Sequence, residues 1–128
     1  MLTHKLVIKY DPPFPYINRT RNITIRIGTS QKLANRLTTF GLGQAGRKQR
    51  IELALQARVE ALSDREAPDT PVIDHFEHEG FAVVIVFGVV VTGTSRFGRI
   101  TGDYYFLTLC EDEVDAVLRT VFKQRVGV

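Results

Sequence analysis

The chain is short of cysteine: Cys110 is the single one among 128 residues, which excludes a disulfide framework within the chain and fits a reducing compartment. Long apolar runs are missing as well. The longest, Phe81 to Val91, falls well below the roughly 20 residues a helix needs to cross a bilayer. The first residues show no basic stretch followed by an apolar one of the kind that directs export. The expectation is a soluble, cytoplasmic protein with no membrane partner. Catalytic sets are absent too: no carboxylate pair, Ser-His-Asp set or Cys-His set stands at a spacing that argues catalysis, and Cys110 stands beside three acids, which disfavours a reactive thiolate. The chain is therefore expected not to be an enzyme and to need no cofactor. It carries no internal repeat and no low-complexity tract.

What is present is enough apolar material for a core. With 44% hydrophobic residues, a chain of this length is one domain of usual size or two very small ones. The net charge of +3 conceals a division. Residues 1–62 hold 11 Lys and Arg against 3 Asp and Glu, whereas residues 63–128 hold 6 against 11. A basic half followed by an acidic half suggests a polyanion surface such as nucleic acid. The other reading is that the cations merely solvate two amphipathic helices.

Taken in order, Leu6-Val7-Ile8 reads as a short strand, and Pro12, Pro13 and Pro15 as an extended connector, because proline fixes φ and removes an amide donor. Residues 22–27, Asn-Ile-Thr-Ile-Arg-Ile, alternate as a half-buried strand does. Thr29 or Ser30 suits the N-cap of a helix running to about Phe40, with Leu33, Leu37 and Phe40 in one stripe. Gly41-Leu42-Gly43 should break that helix. A second, from about Gly46 to Leu62, buries Ile51, Leu55, Val59 and Leu62 beside Ala54. Arg47, Lys48 and Arg50 crowd its start, where cations oppose the helix dipole unless an anion shares the site. Residues 63–71 read as a linker. Strands follow at 72–78 and 81–92 around a turn at Glu79-Gly80, the second buried on both faces, with Gly88 marking a bulge or a close contact. Residues 93–98 read as a hairpin loop, with no helix N-terminus behind it to receive an anion. A strand at about 99–109 and a helix at about 111–124, striped by Val114, Val117, Leu118, Val121 and Phe122, complete the chain.

Residues 21–62 resemble the ribbon-helix-helix family of DNA-binding proteins in the Ile-Thr-Ile-Arg-Ile strand, the Thr29-Ser30 cap, the Leu33/Leu37 helix, the glycine-containing turn and the helix with Ile51, Ala54 and Leu55. The resemblance implies a homodimer, or a higher homo-oligomer, whose paired strands enter the major groove of double-stranded DNA as a two-stranded ribbon. Asn22, Thr24 and Arg26 would then face base edges, while Gly46, Arg47 and Lys48 would hold a phosphate. It implies a sequence-specific transcriptional regulator, or repressor. The strand lies further from the N-terminus than is usual in the family, and Gly46-Arg47-Lys48 stands where a hydroxyl residue is common. Leu33, Leu37, Gly41-Leu42, Gly46, Lys48 and Ile51 also look like the SAP motif, a DNA-binding helix-loop-helix module, which leaves the alternating strand unexplained.

The expected fold is thus α+β: a segment 1–19 with a strand and prolines, a ribbon-helix-helix-like unit at 20–63, a linker at 64–71, and a small antiparallel β-sheet packed with a C-terminal helix at 72–128 for oligomerisation or binding of a protein partner. The other organisation is a single α+β core in an interaction protein that does not bind DNA. Residues 74–79, Asp-His-Phe-Glu-His-Glu, are the densest set of metal-ligand types, and with Cys110 and Glu111 a metal-responsive regulator is conceivable. A strand would place His75, Glu77 and Glu79 on one face and Asp74 and His78 on the other. No metal is assigned, with His75, His78 and Cys110 the weak candidates.

Overall fold

The computed structural model describes residues 8–9, 15–18, 23–65, 67–109 and 111–123, with side chains from residue 25 onward except Glu111. Leu6, Val7, Pro12, Pro13 and Asn22 lie outside the described residues. In chain order the elements are β1 (Ile8–Lys9), β2 (Pro15–Asn18), β3 (Ile23–Ser30), α1 (Gln31–Gly43), α2 (Ala45–Ser63), β4 (Val72–His78), β5 (Phe81–Ser95), β6 (Gly98–Thr108) and α3 (Glu111–Thr120).

All the strands join one sheet, in the order β1-β3-β6-β5-β4, with β2 also on β3. β4, β5 and β6 are antiparallel neighbours, whereas β3 runs parallel to β6, Ile25 opposite Asp103 through Thr29 opposite Leu107. The side chains sort by the two-residue period of a strand. Phe81, Val83, Ile85 and Phe87 of β5 and Tyr105 and Leu107 of β6 meet Leu33 of α1 and Ile51, Leu55 and Val59 of α2 on one face. Val84 and Val86, with Tyr104 and Phe106, meet Val114, Val117 and Phe122 of α3 on the other. β5 is therefore buried on both faces over residues 83–88, which is why its sequence is almost continuously apolar.

The α+β class and the stripes of all three helices are as expected, but the division into two units is not what forms. β3 is hydrogen-bonded to β6 along one edge and to β1 and β2 along the other. It has no free edge to pair with a second copy, and its Ile25 shares a core with Phe76 and Phe81. The presumed linker is docked as well: Ala67 is buried, Pro68 O accepts from Val89 N at 3.3 Å, and a side chain at Gly88 would meet Pro71 Cα at 3.2 Å. Gly88 thus marks a close contact, while the bulge lies between Val91 and Gly93.

Local signals held unevenly. Ser30 caps α1, its Oγ accepting from Leu33 N at 3.2 Å. Gly41-Leu42-Gly43 does not break α1, which runs through to Gly43 and leaves only Gln44 before α2. Glycine costs a helix about 1 kcal/mol against alanine, and tertiary contacts outweigh it here. Phe40 packs edge-on against Phe81 at 5.4 Å, and a Cβ at Gly41 would lie 3.0 Å from Lys48 Cδ, so this glycine lets the two helices close together. Pro15 opens β2 on the outer side of β3, where a missing amide donor is tolerated.

Candidate nucleic-acid interface

The anion beside the cations of α2 comes from the chain itself. At the β4–β5 turn Glu79 and Gly80 both adopt positive φ, 50° and 78°, as a two-residue hairpin turn of the primed type requires. That turn holds Glu79 over the start of α2. Arg50 donates to both Glu79 carboxylate oxygens, at 2.8 and 3.0 Å, and Arg47 donates to the Glu79 carbonyl and, at 3.2 Å, to Gln44 Oε1. The Arg47 guanidinium also lies 4.7 Å from the centre of the Phe40 ring. Lys48 pairs with Glu52 at 3.5 Å, and Arg58 grips Asp74 through two hydrogen bonds of 2.8 and 2.9 Å. The bonds from Arg47 and Arg50 to Glu79 and from Arg58 to Asp74 tie α2 to β4 and the turn after it, the Lys48–Glu52 pair lies within α2, and the side chains of both Arg47 and Lys48 are engaged within the fold.

Hydrogen bonding from Arg50 holds the Glu79 carboxyl below its ordinary pKa, and the same pairing raises that of Arg50. A depressed carboxylate stabilises the fold above its unfolded pKa, and that contribution is lost as the pH falls through the folded value. The stability lost between pH 7 and about pH 3 is expected to be larger in the wild type than in Glu79→Gln, as read from denaturant melts at both pH values; an equal loss would show that the pair contributes nothing.

Of the expected base contacts, Arg26 is exposed on β3, opposite Tyr104 of β6. Thr24 is described in its backbone alone, and Asn22 and Cys110 lie outside the described residues. His75 and His78 belong to opposite faces of β4, since His75 stands opposite Val84 and His78 opposite Phe81, which line different cores. One ion cannot take both from a flat strand. No group of three metal-ligating side chains occurs among the described residues.

The element that the sequence reading missed is the far end of β5 and β6. β4 accompanies β5 only as far as Phe87, and β3 accompanies β6 only from Asp103. Between these points, residues 90–102 form a two-stranded arm that, among the described residues, pairs only with itself, Val90 opposite Gly102 through Ser95 opposite Gly98. At about 3.4 Å per residue the arm is about 20 Å long. Arg96 and Phe97 form its tip, so the glycine-flanked stretch at 93–98 is mostly strand rather than loop. Arg96 and Arg99 are exposed and make no ion pair among the described residues, and the stretch from Gly80 to Gly102 contains no Asp or Glu. Arg26 lies near the root of this arm, because β3 joins β6 where the arm ends.

A cleft of about 600 Å³ opens between the α1–α2 pair and the β3–β6 part of the sheet, floored by Ile27, Leu33, Leu55 and Leu107 and rimmed by Lys48 and Glu52. Thr29, Gln49 and Gln56 add polar groups to an otherwise apolar lining. No helix among the described residues is long and apolar enough to cross a membrane. No protein-family model, curated protein or solved structure matches the chain.

Proposed function

We propose that the chain binds double-stranded DNA, with regulation of transcription as the role such binding would serve. The observation that carries this reading is the arm at residues 90–102, a two-stranded ribbon free of acids that ends in Arg96 and Phe97 with Arg99 just behind. A ribbon of two strands has the width of a groove reader, and guanidinium groups along it supply the phosphate contacts from which most affinity for DNA comes. That cationic track is Arg96 and Arg99, and Arg26 stands at the root on the opposite face of the sheet from Arg99. Lys32 and Arg36 are exposed on α1, beyond the end of β3 remote from the arm, and lie off that track.

The ribbon-helix-helix form of the reading, with Asn22, Thr24 and Arg26 of two copies facing the bases, requires an edge of β3 that β1, β2 and β6 occupy. The DNA-contacting role therefore passes to the arm, with Arg26 beside it. For a homodimer or a protein partner, β4 is an edge strand of the sheet among the described residues, and its Val72 and Ile73 are exposed.

Fluorescence anisotropy of a labelled duplex over a salt series tests the proposal. With two or three phosphates contacted, affinity is expected to fall about 10- to 40-fold between about 50 and about 200 mM salt. Arg26→Ala should weaken binding and relax any base preference. No binding at the lowest salt would remove this reading. It would leave the second one, an interaction protein that does not bind DNA, which is favoured by the single core joining both halves of the chain.

A further inference from the structure

Phe97 is 93% exposed, and the turn that presents it is locked. Ser95 Oγ accepts from Phe97 N at 3.2 Å and donates to Gly98 O at 3.2 Å, while Gly98 holds φ at 131°, a conformation other residues adopt only under strain. The ring is thereby held out at the leading end of the ribbon instead of folding back on it. Behind it Val91 and Ile100 are also exposed, on opposite faces of the arm. Gly93 adds a second feature: a Cβ there would meet nothing nearer than Ile100 Cδ1 at 4.0 Å, so packing within the chain does not demand glycine. Ile100 stands opposite Gly93 on the same face, so the arm presents there an exposed apolar side chain beside a glycine.

A device that only gripped phosphates would need the two arginines and no aromatic ring between them. Resting on the DNA reading above, we infer that the arm lies in the minor groove and drives Phe97 between two base pairs, so that the chain bends the duplex it binds. Apolar wedges act in this way, unstacking a step and turning the duplex toward its major groove. Pyrimidine–purine steps such as TA, which open most easily, are the preferred targets. Arg96 and Arg99 then hold the phosphates flanking the opened step.

The experiment is end-to-end energy transfer in a dye-labelled duplex of about 25 base pairs with a central TA step, at low salt, comparing the wild type with variants whose melting temperature is unchanged. The wild type is expected to bend the duplex by about 20–90°. Phe97→Ala should lose the bend and bind about 10-fold more weakly, whereas Phe97→Leu, which keeps an apolar wedge, should still bend it. Changing Arg96 and Arg99 together to alanine should lower the salt slope by about 2, leaving the saturated complex bent. A wild-type complex that stays straight, a Phe97→Ala complex as bent as the wild type, a Phe97→Leu complex that has lost the bend, or preference for a single-stranded oligonucleotide overturns the wedge. A straight but bound duplex leaves the DNA reading standing; no binding by the wild type at low salt removes both.

Discussion

Ile51→Ala is expected to destabilise the whole chain by about 2–5 kcal/mol and to do so in one transition. Ile51 is wholly buried on α2 and belongs to the same core as Ile25 of β3, Leu33 of α1, Ile85 of β5 and Tyr105 of β6. Removing its branched side chain loses the transfer energy of the deleted carbons and leaves a cavity between rigid neighbours, since a helix held by Arg50–Glu79 and Arg58–Asp74 cannot settle into the gap freely. The measurement is thermal or denaturant unfolding followed twice, by far-UV ellipticity for the helices and by near-UV ellipticity for the tyrosines, with Tyr104 and Tyr105 in β6. The two curves should coincide and shift together. If α1 and α2 belonged to a unit with its own core, the helical signal alone would move, and two separated transitions in the variant would refute the single core.

The elements were legible wherever a face is buried. The stripes Leu33-Leu37-Phe40 and Ile51-Leu55-Val59, the continuous apolar run of β5 and the Ser30 cap all follow from local periodicity and capping chemistry, which the chain states residue by residue. The partner of a strand is not written in that way. Ile23-Thr24-Ile25-Arg26-Ile27 alternates identically whether it pairs with a second copy or lies beside β6, and the parallel pairing to a strand more than 70 residues on has no local signature. Arg47 and Arg50 show the same limit. Their position at a helix start indicates a need for an anion, and the carboxylate of Glu79, brought there by a turn in another part of the chain, lies against Arg50 at that place. The arm was hidden by averaging. Arg96 and Arg99 fall in the acidic half, where the total is negative, although no acid lies between Gly80 and Gly102. That gap, together with the alternation of Thr94, Arg99 and Thr101 against Gly93, Ile100 and Gly102, was the available signal.

Gly28→Ala should cost about 1–3 kcal/mol, toward the upper end, because it overpacks a buried site. β3 passes beside β6 with Gly28 opposite Phe106, and the ring of Tyr104 extends across the space that a side chain at 28 would fill. An added Cβ would lie directly against Tyr104 Oη, with Phe106 Cδ2 and Tyr104 Cζ both at 3.2 Å. The tyrosine cannot swing aside easily, since it is buried, packs edge-on against Phe122 at 6.0 Å and is stacked on Phe106 at 6.5 Å. The first obstacle is a single oxygen atom, which makes the cause separable from the effect. In a Tyr104→Phe background that atom is gone, so Gly28→Ala should cost at least about 1 kcal/mol less than in the wild type, whatever Tyr104→Phe itself costs through the hydroxyl interaction it loses. Denaturant unfolding of the four chains of this double-mutant cycle gives the coupling directly. A coupling near zero would mean that β3 does not lie against β6 in this register, and a ribbon free to pair with a second copy would again be open to it.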